Sequence, residues 1–507
     1  MFEILNTFAL IYPEILLLIG LITAIILSTT KFKNIIWLIS IILMISACLY
    51  LLRIQSQEKT LLLNGMFIFD PLSTIFKLLT LFLVIILTLG SIKYTNGFVH
   101  KTEFLILLLS ATISILFLIS SNDLITLFVS LETLSLSSIM LSGYSKYDLR
   151  SNEASIKYLL NSASASSIFL FGLSIIYGLC RTTQFDEIKF KLLSLDSQSS
   201  TYMILSLALI LIVSGIAFKL ASAPFHMWSP DVYEGSPTPT TAFLATASKL
   251  ATFAIAIRLL IGMFGAFSIM WQPILIVISI LSMVIGNLTA LGEVLSKGSI
   301  KRLMAYSSIA QIGYILIGLT LCKPETISSS IFYLVIYSIM NLCAFLCIIA
   351  FGNETNSDSI PDYAGLVKVK PLLTAAFSIC LFNLAGLPIP PAGFIAKFIL
   401  FKASFEAGTL GIFLAIIALI TTILSVFYYS YIVKLMVVDK PSEAISNIGS
   451  EKSAIGVSLR LNTAIIISAI TIFILSFASN QLLLKTDKIT YCDFKTIKST
   501  FSKISIN

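Results

Sequence analysis

Four ionisable side chains stand inside stretches that are otherwise apolar. Glu132 lies in the middle of "NDLITLFVSLETLSLSSIMLSG", Lys219 in "SGIAFKLASAPFHMW", Lys249 in "TTAFLATASKLATFAIAIRLL" and Lys397 in "AGLPIPPAGFIAKFILF". Placing such a group at a bilayer centre costs about 2.5–3.5 kcal/mol on insertion scales. Burial disfavours the charged form of an amine, and a neighbouring carboxylate favours it. A carboxylate and an amine that pair and separate therefore make a proton switch, with Glu132, Lys219, Lys249 and Lys397 as stations. A direct Glu132–Lys219 pair is expected, and the hydroxyls of Ser130, Thr133 and Ser137 either support a hydrated surface or pack between helices. The bland alternatives are a carboxylate that only pairs with a neighbour and lysines that snorkel to the interface. Snorkelling suits Lys77, Lys402, Lys434 and Arg258 and suits Lys249 poorly. His226 is a candidate relay, or a structural hydrogen-bonder beside Trp228 and Pro224. Tyr306 and Ser307 in "KRLMAYSSIAQIGY" either carry protons or pack.

Other chemistry is not signalled. The sequence has no G-x-G-x-x-G, no P-loop and no iron–sulfur cysteine spacing, so no nucleotide, redox-centre or metal site is expected in this chain. Cys343 and Cys347 share a helix face four residues apart, and small buried residues explain them better than a metal pair. A net charge of +8 over 507 residues sits mainly in loops and bears on topology, not on nucleic acid.

The elements that must hold these groups are membrane helices. The chain is 57% hydrophobic and only 11% charged, about half the charged fraction of a soluble protein. Apolar windows long enough to cross a bilayer recur almost end to end. They predict an all-α polytopic membrane protein with about fourteen spans, near 12–30, 35–53, 72–92, 104–120, 123–142, 157–180, 202–228, 238–263, 272–292, 303–321, 328–351, 371–401, 409–436 and 461–479. Glu14 interrupts the first window, which reads as a retained helix and not a signal peptide. Lys and Arg are in excess in the odd-numbered loops, placing those loops on the cytoplasm-like side. The seventh span carries Pro224 and the twelfth Pro388, Pro390 and Pro391, none of which continues a helix. Interrupted spans five apart point to a transporter fold with repeats over spans 4–8 and 9–13. The expected organisation is 1–103 for the first three helices, 104–263 and 272–436 for the two repeats, and 437–507 for the last helix and a lysine-containing tail.

Three long stretches carry a family resemblance: "PFHMWSPDVYEGSPTPTTAFL", "KRLMAYSSIAQIGYILIGL" and "AGLPIPPAGFIAKFILF". They resemble the antiporter-like subunits of proton-pumping NAD(P)H-quinone oxidoreductase (complex I), and "DVYEGSPTP" resembles the subunit 2, or N-type, branch. "LSGYSKYDLRSNEASIKYLL" and "YIVKLMVVDKPSE" resemble the chloroplast and cyanobacterial form more than the mitochondrial one. The resemblance implies fourteen helices with two inverted five-helix repeats, broken helices 7 and 12, and proton-translocating roles for Glu132, Lys219, Lys249 and Lys397. It implies no cofactor in this chain, with FMN and iron–sulfur clusters in partner subunits, and further membrane and soluble subunits as partners. It also implies plastoquinone as acceptor, reduced ferredoxin or NAD(P)H as donor, and a chloroplast thylakoid location in photosynthetic electron transport. Mitochondrial inner membrane and cyanobacterial membrane are the alternatives. A stand-alone Mrp-like cation/proton antiporter subunit, which shares the fold, is the competing function, and a non-conducting membrane scaffold is a third.

Overall fold

A computed structural model describes residues 9–30, 35–54, 59–194, 199–388, 391–450 and 458–487. Pro390, Lys31, Lys33, Cys492 and the tail from residue 488 lie outside these. The described chain is helical, with one short antiparallel hairpin, β1 (Thr60–Leu62) on β2 (Phe67–Phe69). That hairpin lies where a polar loop was expected, and its turn uses positive φ at Leu63, Asn64 and Gly65. Twelve helices among the described residues are long and apolar enough to cross a membrane, and Tyr12–Ser28 and Pro371–Ala385 are shorter apolar helices.

The residues form two compact units, one made of residues 1–89, 95–219 and 247–271, the other of 90–94, 220–246 and 272–507. The chain thus passes from one unit to the other immediately after Lys219. Residues 220–246, assigned from the sequence to the first repeat, cluster with the second unit.

In the first unit, α1 (Tyr12–Ser28) packs on α2 (Ile36–Arg53) and on α4 (Lys101–Ser120). Next to α2 in sequence, α3 (Pro71–Thr95) begins at Asp70, whose carboxylate accepts from the Ser73 amide at 2.8 Å. Helix α4 packs on α5 (Leu124–Ser142), and α5 on α6 (Leu149–Cys180). Asp123 caps α5, accepting from the Ile125 amide at 2.8 Å; such a cap satisfies donors the first turn leaves unpaired. Large apolar side chains remain exposed on α2 and α6, among them Leu38, Leu49, Leu160 and Phe171, as a lipid-facing surface requires. Helix α7 (Ser199–Leu220) ends the first run of this unit.

The second unit starts with the end of that interrupted span. The helix stops at Leu220, earlier than the prolines predict, because Ala221 takes a left-handed φ of 56°. The Ala223 amide is satisfied by Ser282 Oγ at 2.8 Å, and α8 (Trp228–Gly235) follows. The eighth span, expected to be one simple helix, is α9 (Thr238–Ala245), a break at Thr246, α10 (Ala247–Ala256) and a π-helical end over Ile257–Met263. Helices α11 (Ser268–Leu295), α12 (Ile300–Leu321) and α13 (Pro324–Thr355) continue the unit. Gly286 lets α11 and α12 touch, since a Cβ there would lie 2.5 Å from the Ala310 amide nitrogen. Helix α13 is buried on every side from Thr326 to Phe351 and packs against α9, α12, α14 (Pro371–Ala385), α15 (Ala392–Glu406) and α17 (Leu459–Phe477). A mostly apolar helix with no exposed side over this length belongs in a core, and α13 is the core of this unit. Helix α16 (Thr409–Val437) packs on α14 and α15.

Candidate proton-translocation site

The first unit holds three of the expected stations. Glu132 sits near the middle of α5 and is half-buried, Lys219 lies in the last turn of α7, and Lys249 on α10 is 1% exposed. The direct Glu132–Lys219 ion pair expected from the sequence is not made. Lys219 Nζ donates instead to the hydroxyls of Ser135 and, at 3.1 Å, Ser162. Ser135 donates its own proton to Leu131 O at 2.6 Å, which leaves its lone pairs to the ammonium. Glu132 lies one turn before Ser135 on α5. The hydroxyls singled out in the sequence point elsewhere. Ser130 and Thr133 donate to Thr126 O and Val129 O, both at 2.7 Å, and Ser137 bonds Ser110 at 3.1 Å. Ser135 was legible in principle, three residues after Glu132, but a helix so rich in serine hid it.

Two buried ion pairs in this unit replace expected snorkelling. Lys77 is 2% exposed and pairs with Glu14. Arg258 holds Asp70 through two nitrogens, at 2.9 and 2.8 Å, and donates Nε to Ile119 O at 2.9 Å. A buried charge needs such a partner; each pair joins residues too far apart in sequence for periodicity to reveal.

In the second unit, Lys397 on α15 is 3% exposed. The span around it breaks as the prolines and glycines require. Gly386 closes α14 at φ 86°, its amide donating to Phe382 O and Asn383 O. A side chain at Gly386 would also crowd Lys397 Cδ, at 2.9 Å. Asn383 Oδ1 accepts from the Gly393 amide at 3.0 Å and so caps the start of α15. A Cβ on Gly393 would strike Asn383 O at 2.0 Å. The carbonyls of Leu384 and Ala385 are left for Lys397 Nζ, which donates to them at 2.9 and 3.1 Å. The Tyr314 ring lies 5.2 Å from the same nitrogen. The ammonium is thus held at the negative end of a half-helix, by dipoles and a π face.

His226 is also in this unit, 6% exposed, between α7 and α8. Lys301 and Arg302, counted as loop charges, belong to the first turn of α12 and are paired: Lys301 with Asp358 at 2.8 Å, Arg302 with Glu234 at 3.0 Å and Asp231 at 3.3 Å. Ser307 bonds Tyr429. Among the described residues no group of three or more His, Cys, Asp or Glu side chains is placed to hold a metal ion.

The chain as a whole matches known proteins. A family profile described as NADH:quinone oxidoreductase/Mrp antiporter, TM, matches residues 121–425. The NAD(P)H-quinone oxidoreductase subunit 2 of Gloeothece citriformis is 43% identical over 440 residues, 86% of this chain and 84% of that protein. That of Synechocystis sp. is 46% identical over 381 residues, 75% of this chain and 72% of that protein. The chain belongs to this subunit 2 family. The resemblance read from the sequence motifs is therefore borne out, and so is a multi-pass helical membrane fold. A chain in the structure of respiratory complex I from Thermus thermophilus with bound aureothin is 26% identical, with a TM-score of 0.75, covering 93% of this chain and 98% of that one. A chain of the Mrp complex from Dietzia sp. DQ12-45-1b shares the fold, at 21% identity and a TM-score of 0.82, covering 96% of this chain and 97% of that one. As a family member the chain is a proton-translocating membrane subunit of an oxidoreductase complex.

Proposed function

We propose that protons cross this subunit by way of Glu132, Lys219, Lys249 and Lys397, driven by electron transfer in partner subunits from NAD(P)H or reduced ferredoxin to plastoquinone. The observation that carries this reading is that each interrupted helix presents an amine: Lys219 ends the half-helix α7, and Lys397 grips the carbonyl end of α14. Neither lysine has a carboxylate within ion-pair distance among the described residues. Each ammonium is held by neutral oxygens, a grip firm enough to position it and weak enough to release a proton. Glu132 tunes Lys219 at longer range, Lys249 takes the proton onward, and His226 serves as a relay.

In this reading the chain has fourteen spans, with inverted repeats over 104–263 and 272–436 flanked by 1–103 and 437–507. FMN and iron–sulfur clusters reside in partner subunits, and the complex lies in a thylakoid membrane. Purification in mild detergent tests the assembly: a large complex containing iron–sulfur subunits is expected, and a small assembly of membrane subunits alone indicates the antiporter instead. Proton uptake by vesicles, driven by quinone reduction and normalised to assembled complex, tests the route; Lys219→Ala, Lys249→Ala and Lys397→Ala should each lower it strongly.

A further inference from the structure

The Leu384 carbonyl that accepts from Lys397 accepts a second donor. Gln311 Nε2, from α12, reaches it at 3.1 Å. The other end of the same amide, Oε1, accepts from the Tyr333 hydroxyl of α13. Gln311 and Tyr333 are fully buried, and all four groups belong to the second unit. An amide in this position has both ends fixed by different partners, so its orientation is set: nitrogen toward the helix break, oxygen toward the phenol. The sequence reading passed over it, because a lone glutamine in "SSIAQIGY" shows no periodicity and no charge.

We propose that Gln311, oriented by Tyr333, is a positioning residue for Lys397. The inference rests on the reading of Lys397 as a proton station. Each ammonium hydrogen bond at the break falls on a carbonyl that α14 itself leaves unused. Leu384 O can hold two donors, one on each lone pair. With Gln311 on one, Lys397 is confined to the other, and its Nζ has one defined direction. Without Gln311 the carbonyl offers both lone pairs, and the amine can settle where it does not face its proton-transfer partner. The device is a bound geometry held by three helices, α12, α13 and α14, around a side chain that α15 supplies.

The test uses the assembled complex in sealed vesicles and reads protons moved per quinone reduced, a ratio that changes in abundance do not alter. Gln311→Met keeps the side-chain length and removes both hydrogen bonds. It is expected to lower the ratio roughly five-fold, which corresponds to about 1 kcal/mol, the net worth of one hydrogen bond. Gln311→Glu, which still accepts from Tyr333 and when protonated donates to Leu384 O, should restore most of it. Tyr333→Phe removes only the orienting hydroxyl and should mimic Gln311→Met; it also serves where Gln311→Met fails to assemble. In a Lys397→Ala background, Gln311→Met should cause no further fall. A wild-type ratio in both Gln311→Met and Tyr333→Phe, with Lys397→Ala impaired, overturns the inference and leaves the reading of Lys397 intact. So does a further fall on top of Lys397→Ala. A wild-type ratio in Lys397→Ala itself overturns both.

Discussion

Lys219 is held by two hydroxyls, and removing them measures what that grip is for. Ser135→Ala and Ser162→Ala each delete a single oxygen, and alanine is at least as good a helix former as serine, so assembly should survive. A hydrogen bond to a charged group is worth about 1.5–3 kcal/mol, or roughly 10–100-fold in the population of the oriented ammonium. Ser135 carries the larger share, because its proton is already committed to Leu131 O and its oxygen can only accept from the lysine. Proton uptake per quinone reduced should therefore fall roughly ten-fold in Ser135→Ala, somewhat less in Ser162→Ala, and in the double variant to the level of Lys219→Ala. Ser137→Ala is the control: it lies on the same helix, bonds Ser110 and not the lysine, and should pump like the parent. Glu132→Gln should add less to Ser135→Ala than it costs alone, since both act on one ammonium. A double serine variant that pumps normally, or a Ser137→Ala loss equal to that of Ser135→Ala, would refute the assignment.

Three further outcomes are expected. Lys397→Ala should lower pumping without loss of assembled complex, while Lys434→Ala, exposed near the end of α16, should change little; equal effects would remove the distinction by depth. Asp70→Asn or Arg258→Met alone should destabilise the subunit by about 3–5 kcal/mol, and the double change by much less, because a single change strands a buried charge; heating in detergent followed by recovery of intact complex reads this, and additive losses would count against it. Reporters in 143–148 and 293–299 should label from the cytoplasm-like side and one in 181–184 from the other, following the bias of Lys and Arg; labelling of 143–148 and 181–184 from one side would break the topology.

What the sequence displayed was whatever repeats along the chain or is locally forbidden. Apolar windows located the helices, and Pro388, Pro390 and Pro391 located the second break, since a proline acts on its immediate backbone. The first break was placed too late, because the chain turns at Ala221 and alanine carries no turn signal. The split of the eighth span at Thr246 and its π-helical end had no signature either. The lysines were visible as charges in apolar runs, whereas their partners were not. Ser135, Ser162, Gln311 and the Leu384 carbonyl are ordinary groups made special by helices brought together from distant parts of the chain. The same holds for Glu14 with Lys77 and Asp70 with Arg258, where one member looked like a snorkelling cation until its partner was seen.

Helix α13 has a consequence for biogenesis. From Thr326 to Phe351 every residue is buried, yet several of the helices that bury it, α14, α15 and α17, are made after it. On leaving the insertion machinery, the nascent helix already has α9 and α12 beside it, with Asn341 donating to Ala245 O at 3.2 Å and Ser330 lying against Gly318, but Ser328 still lacks its later partners. The last helix completes the seal: it packs along α13, and beyond it Thr486 and Asp487 bond Ser328 at 2.9 and 2.5 Å. A chain that stops before α17 therefore leaves Ser328 and the α17-facing side of α13 without the partners of the finished fold.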